Sequence, residues 1–210
     1  MGLLNSTRVV SFVGDNAALG ELADQLYAVA VEHGYPVWRA QGTIYRAWVK
    51  VRNGDVVEGI SLLRCGLAAY RATGAGLWMP DYTALLARAC EIAGQIEEAA
   101  SLLDDALQIA KRTGERWPTA ELYRHKGQLL LRQGHSKAAE ELYHKALSIA
   151  AEQEAKLWEL RAAVSLARLW QDQGRRCEAR DLLSPIYGWF TEGFDTADLK
   201  EAKLLLDELT

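Results

Sequence analysis

Little in this chain of 210 residues points to a disulfide scaffold, a membrane span or a sheet. Its cysteines, Cys65, Cys90 and Cys177, are odd in number and far apart. They suit neither a disulfide framework nor a CxxC metal pair, and a reducing, cytoplasmic compartment is expected. Basic residues number 24 against 28 acidic ones. A general nucleic-acid binder would carry the opposite excess, so none is expected as a partner. No apolar run approaches the roughly 18 residues of a spanning helix, and the amino terminus lacks a signal peptide's charged-then-apolar layout. Prolines number only 4, and β-branched alternation is confined to the short stretch from Val9 to Val13. Neither GxxxxGK[ST] nor a GxGxxG after a strand is present to cradle a nucleotide phosphate. What remains is a soluble, Ala- and Leu-rich chain that favours helix throughout.

Self-similarity is the strongest positive signal. Glycines fall at Gly14, Gly54, Gly94, Gly134 and Gly174, a step of 40 each time. Seven residues before the last four of these stand Ala47, Ala87, Gly127 and Ala167, and five after them Gly59, Ala99, Ala139 and Ala179. Leu62, Leu102, Leu142 and Leu182 keep the same step, as do Gly66, Ala106 and Ala146 before Ile186. A second glycine row, Gly34, Gly74 and Gly114, runs until Glu154 breaks it. Trp38, Trp78 and Trp158 also keep step, with Trp117 one residue early.

Each unit reads as two helices joined at the central glycine. Ahead of Gly94, residues 82–89 carry apolar side chains at helical spacing; beyond it, Ile96, Ala99, Leu102, Leu103, Ala106 and Ala110 line one face. Glycine suits the left-handed turn of a short helix connection. Small residues in the flanking columns let two antiparallel helices approach. The pattern predicts an all-α solenoid of antiparallel pairs with period 40: a partial unit at 1–33, pairs at 37–73, 79–113, 118–153 and 156–191, and a capping helix at 196–208. No linker divides it, so residues 1–210 are expected to form one array. Pro36, Pro80 and Pro118 fall at helix starts, whereas Pro185 should kink or interrupt a helix. Asp195 or Thr196 can cap the last helix, whose Ala202, Leu205, Leu206 and Leu209 close the array.

These columns resemble the tetratricopeptide repeat (TPR), most closely at Tyr123, Gly127, Gly134, Ala139, Tyr143 and Ala146. The step of 40 exceeds the family's roughly 34. Arg71, Lys111, Ala151 and Thr191 stand where the family often closes its second helix with proline, and the family's first-helix tryptophan is missing from its column. The resemblance implies a right-handed superhelix whose first helices line a concave groove. A narrower resemblance spans residues 35–209. Residues 121–127, 159–170 and 187–199 are similar to the C-terminal repeat region of bacterial adenylate/guanylate-cyclase-associated predicted ATPases. It implies a regulatory part of a larger signalling protein whose cyclase and ATPase residues lie elsewhere.

Candidate chemistry is sparse. His33, His125, His135 and His144 miss HExxH spacing; His135 and His144 flank Glu140 and Glu141, which reads as a solvated helix face rather than a metal site. Cys90 reads as a buried thiol without an evident His–acid pair. No enzyme, metal or cofactor is expected.

The groove is the better candidate. By the resemblance its columns hold Gln41, Ile44, Trp48, Val51 and Arg52; then Asp81, Ala84, Arg88, Glu91 and Ile92. Glu121, Arg124, Gln128, Leu131 and Arg132 follow, then Arg161, Val164, Arg168, Gln171 and Asp172. Arg88 and Arg168 share one column, Arg52 and Arg132 another. Such a ladder could grip carboxylates of an acidic peptide, a protein partner or the parent chain's other domains, with Ile44 and Trp48 as apolar anchor. The same arginines could equally neutralise Glu91 and Glu121 on an ordinary solvated face. The tryptophan row reads as spacers between units, and Trp170, Tyr187 and Trp189 as cover for the last helix. The function these features imply is a non-catalytic interaction module; a small-metabolite sensor using the groove is the alternative.

Overall fold

The computed structural model describes residues 2–210. Among the described residues it contains eleven helices and no strand. Two compact units divide the chain. The first, Met1–Glu115, holds α1 (Gly2–Val13), α2 (Asn16–Glu32), α3 (Pro36–Arg52), α4 (Val56–Ala72), α5 (Met79–Ile92) and α6 (Ile96–Thr113). The second, Arg116–Thr210, holds α7 (Thr119–Arg132), α8 (Ser136–Glu152), α9 (Lys156–Asp172), α10 (Arg176–Tyr187) and α11 (Ala197–Glu208). Consecutive helices pair most extensively across the shortest connections, as antiparallel hairpins do.

The glycine columns mark the turns. All eight glycines of the two rows adopt left-handed φ, between 68° and 96°. Around them the chain closes a repeated 6→1 bond: the N–H of Asp55 reaches Lys50 O at 3.0 Å, Gln95 reaches Cys90 O at 2.8 Å, and Arg175 reaches Trp170 O at 2.8 Å. Where Glu154 interrupts the glycine row, the connection keeps its geometry and Glu154 itself takes φ 53°. The Ala155 N–H still reaches Ala150 O at 2.9 Å. The turn therefore imposes the conformation, and the residue accepts the strain.

Close approach of paired helices explains the small columns. Ala47, Ala87, Ala167, Ala99, Ala139 and Ala179 are buried to within about a hundredth of their surface. Gly127 on α7 faces Tyr143 on α8, where an added Cβ would stand 2.6 Å from Tyr143 Cε1. The same two columns elsewhere pair Ala47 with Leu63, Ala87 with Leu103 and Ala167 with Leu183. Bulk gained on one helix is removed from its partner. Leu199, Ala202 and Leu205 of α11 enter the core of the second unit, as does Leu209 just beyond it, with Leu206 packed against them. The fourth second helix is shorter than expected. It ends at Tyr187 instead of reaching 191, and Pro185 lies in its last turn. Thr196 is the N-cap of α11, but its hydroxyl donates back to Gly193 O at 2.7 Å instead of capping the helix.

A size-compensation test follows. Gly127→Ala should destabilise the chain by about 1–3 kcal/mol through overpacking against Tyr143. Adding Tyr143→Leu should recover most of that loss, which a double-mutant cycle in urea would measure. Additive losses in the double variant would refute the compensation.

Candidate functional site

The exposed strip on the first helices is narrower than the repeat suggests. In the first unit, Gln41, Ile44, Trp48, Val51 and Ala84 were expected on an open face, and all five are buried. Ile44 is fully enclosed, and a Cβ added to Gly66 of α4 would stand 2.8 Å from its Cγ1. It is core, not an anchor. First helices are covered on both flanks, so the apolar stripe is wide and only a thin polar strip remains. Arg52 and Ile92 are exposed there, while Asp81, Arg88 and Glu91 are half-buried.

Trp48 keeps a role different from the one expected. Its indole is only 3% exposed, and the Arg88 guanidinium lies 4.7 Å from the ring centroid, with that of Arg52 at 6.0 Å. The indole is a platform for two cations. Of the expected groove residues in this unit, Trp48, Arg52 and Arg88 are thus brought together.

Beside this strip lies a cluster that the pattern did not single out. Gln41 Nε2 donates to the Tyr82 hydroxyl at 2.9 Å, and the Tyr70 hydroxyl donates to Leu77 O at 2.7 Å. The Tyr45 and Tyr70 rings meet Tyr82 edge-on, at 5.9 and 5.3 Å. Burial pushes the Tyr45 and Tyr82 hydroxyls well above the ordinary tyrosine range, so they stay neutral. Trp78, at the head of α5, has φ 71° and donates its backbone N–H to Glu115 at 2.7 Å. Its indole receives the Arg8 guanidinium at 4.1 Å and stacks with Phe12 at 6.4 Å. The signal was present in the sequence: Arg8 stands in the column of Trp48, Arg88 and Arg168, on a helix too degenerate to draw attention. Trp38, from the same row as Trp78, meets Tyr35 edge-on at 4.7 Å.

The second unit spends its arginines internally. Arg124 grips Glu121 with two hydrogen bonds of 2.7 Å and reaches Ser165 Oγ at 3.3 Å. Arg161 makes a second fork on Asp198 of α11, again 2.7 Å twice, and comes within 3.5 Å of Glu121. The His125 imidazole, almost wholly buried, lies 3.2 Å from Glu121. Arg168 is exposed and pairs with Glu201 at 3.0 Å, Gln128 is half-buried, and Arg132 is exposed at the end of α7. Val164 is buried. Arg124 and Arg161, expected as rungs of an open ladder, are therefore ties between α7, α9 and α11. The forks' carboxylates sit 3 and 37 residues away, spacings that a search for equal steps passes over.

Other singled-out residues find ordinary places. Trp170 donates its indole N–H to Glu140 at 2.6 Å and, with Tyr187, joins the core around α11. Trp189 does not cover that helix: it is 58% exposed. His135 heads α8, whereas His144 lies against Glu140 and the Trp170 ring. Burial raises the Cys90 thiol's pKa, which disfavours the nucleophilic thiolate. Among the described residues no three His, Cys, Asp or Glu side chains converge as a metal site.

Glu121 governs the acid response of the second unit. Burial alone would push its carboxyl up, but Arg124 and His125 override this and hold it well below the usual carboxylate range. A carboxylate depressed in the folded state adds stability that is complete above its unfolded pKa, about 4.3. That contribution should fade as pH falls below this value towards the folded pKa. Glu121→Gln should cost roughly 3–5 kcal/mol at neutral pH by stranding Arg124. It should also flatten the fall in melting temperature below about pH 4.3. An acid limb as steep as that of the unaltered chain would remove Glu121 from this role.

Known proteins align with this architecture. A tetratricopeptide repeat family model matches residues 80–152. An uncharacterized protein of Rhizobium meliloti (strain 1021) is 27% identical over 137 residues, which cover 65% of this chain but only 13% of that relative. A Rap protein solved in complex with Competence and Sporulation Factor superposes with TM-score 0.68 at 14% identity, covering 99% of this chain and 62% of that one. BtubC from P. vanneervenii gives TM-score 0.67 at 16% identity over 94% of this chain and 87% of its own. A thermophilic TPR protein of Thermus thermophilus gives 0.64 at 17% identity, covering 99% and 97%. At these identities the structural likenesses establish the fold alone. The chain thus has a TPR-like helical fold, with the tetratricopeptide repeat family itself matched over residues 80–152.

Proposed function

We propose that this region is a non-catalytic protein-interaction module, and that the Arg52–Trp48–Arg88 strip of the first unit binds an acidic segment of a protein partner. The observation that carries the reading is the alignment of two guanidiniums on one buried indole, at 4.7 and 6.0 Å. An indole that cannot move fixes both cations at little further cost in side-chain entropy, and arginine forks match carboxylates two bonds at a time. Trp and Arg are also the residues most enriched where binding energy concentrates. The second unit offers less, because its inner arginines already hold Glu121 and Asp198. The Rap protein of similar fold was solved with Competence and Sporulation Factor, which supports a binding role for such a scaffold.

The setting in this reading is a larger bacterial signalling protein of the ATPase/cyclase type, in the cytoplasm. Its support is the resemblance of residues 35–209 to that lineage and the much greater length of the Rhizobium relative. The unbroken step of 40 supports both units belonging to one array.

Fluorescence anisotropy with a labelled Glu-Ala repeat peptide, and a Lys-Ala peptide as control, tests the strip. The acidic peptide should bind and the basic one should not. Arg52→Ala with Arg88→Ala should weaken binding about tenfold or more, equivalent to 1.4 kcal/mol. Arg168→Ala, in the other unit and paired to Glu201, should leave it unchanged. Equal binding of both peptides, or an unaffected double variant, would overturn the assignment.

A further inference from the structure

The first helix sits on its neighbours through a contact that fits imperfectly. Arg8 and Phe12, one turn apart on α1, both address the Trp78 indole, at 4.1 and 6.4 Å. That indole is fixed from behind. Trp78 holds a left-handed φ of 71° that a bulky side chain adopts only under constraint, and Glu115 accepts its backbone N–H at 2.7 Å. Such a conformation costs on the order of 1–3 kcal/mol and persists at clamps and ligand sites. Arg8 also acts on the Tyr70 and Tyr82 hydroxyls, of which Tyr82 accepts from Gln41 and Tyr70 donates to Leu77 O next to Trp78, while Asp81 and Glu115 raise the negative potential around them. Aromatic faces rimmed by carboxylates attract a cation, and Arg8 supplies one.

Arg8 supplies it poorly. Its Nε–H is buried and makes no hydrogen bond, and so is the Gln41 Oε1 acceptor. The nearest polar contact of its guanidinium is Asn5 Oδ1, on its own helix, at 3.5 Å. A buried donor and a buried acceptor left unmade each cost about 1–3 kcal/mol. A guanidinium arriving at a slightly different angle could give its Nε–H to Gln41 Oε1 and relieve both.

We propose that the Trp78–Gln41–Tyr82 surface is a docking site for a partner protein's helix bearing an arginine with an aromatic residue one turn later, which α1 occupies in cis until displaced. The occupant's chemistry is that of α1 itself, with the missing hydrogen bond restored. The surface is distinct from the Arg52–Trp48–Arg88 strip and of opposite charge preference, so either assignment can fail without the other.

The probe is a fluorescent peptide with the sequence of Gly2–Val13, titrated against the full chain. The unaltered chain should bind it weakly, because its own α1 competes. Arg8→Gln with Phe12→Ala in the chain should tighten binding about tenfold or more. Adding Trp78→Ala, or replacing the peptide's arginine by glutamine, should abolish that gain. No tightening in a variant of unchanged helicity would overturn the proposal, as would equal binding of the arginine-free peptide. Loss of helicity in the double variant would do so too, since α1 would then be integral to the fold. Hydrogen exchange on the unaltered chain gives a second reading: α1 amides should exchange far faster than those of α3, and equal protection would refute displacement. A concentration-dependent dimer that Arg8→Gln abolishes would assign the surface to a second copy and overturn the partner reading.

Discussion

Every inward-facing position in this protein depends on how closely two antiparallel helices can approach. Where Gly42 of α3 meets α2, an added Cβ would lie 3.0 Å from the backbone of Tyr27. At Gly59 it would lie 2.5 Å from Val51 Cγ2 and 3.0 Å from the Ala47 carbonyl. Backbone that near admits hydrogen or methyl and nothing larger, which is why the columns before and after the last four central glycines alternate only between Gly and Ala. Close approach fixes helix rotation, because each helix must turn its smallest residue towards its partner. Rotation then decides which side chains of the first helices remain on a surface. The polar strip left on the first unit follows from that packing.

The two units solve the same electrostatic problem differently. Arginines on first helices need partners that compensate their desolvation. In the first unit aromatic rings take part: Arg8 rests on Trp78, Arg88 and Arg52 on Trp48, and Arg46 on Tyr27 at 4.6 Å while also pairing with Asp24 at 2.7 Å. In the second unit the partner is a carboxylate in a fork, and two forks meet near Glu121. Bidentate pairs use the donors up and tie α7, α9 and α11 together. Rings serve there as well, under Arg161 at Trp158 and Arg175 at Trp170, but the forks are what hold the end in place.

Much of the fold can be read from the chain because it is periodic and local. The step of 40 located every turn up to α10, and left-handed glycines are what most of these short helix connections use. Even the broken column at Glu154 kept its turn, since neighbouring bonds dictate that geometry. The site was less legible, for a physical reason. A helix advances about 100° per residue, so a column only one position from the open strip is already turned inwards. Ile44 is such a case. Polar contacts were hidden for another reason: Arg161 and Asp198 are 37 residues apart, and Glu140 and Trp170 are 30 apart. Contacts between adjacent columns leave no trace in a comparison of equal steps. Pro185 shows the limit of a rule applied without position. Near the carboxyl end of α10 it marks where the helix stops and bends nothing in its middle.

The two terminal helices make the contrast between a cap and an occupant concrete. On α11, Leu199, Ala202 and Leu205 enter the core, as does Leu209 just beyond it, and Asp198 completes a fork with Arg161. Removing that helix would expose apolar surface and strand a buried guanidinium, so the second unit cannot do without it. On α1 only Leu4 and Thr7 are buried, the threonine hydroxyl is satisfied within the helix by Leu3 O at 2.8 Å, and Val9 and Val13 face outwards. Lifting α1 would expose the buried Leu4 and the half-buried Leu3, Val10 and Phe12, and would return the unmatched Arg8 Nε–H to water, where it finds a partner. The loss of the cation–π contact opposes that gain by roughly 0.5–2 kcal/mol, a margin that a better-matched helix can exceed. Helices of equal length at the two ends therefore differ in what holds them: α11 is retained by a bidentate ion pair and a row of core leucines, and α1 by its packing on α2 and the contacts of Arg8 and Phe12 with Trp78.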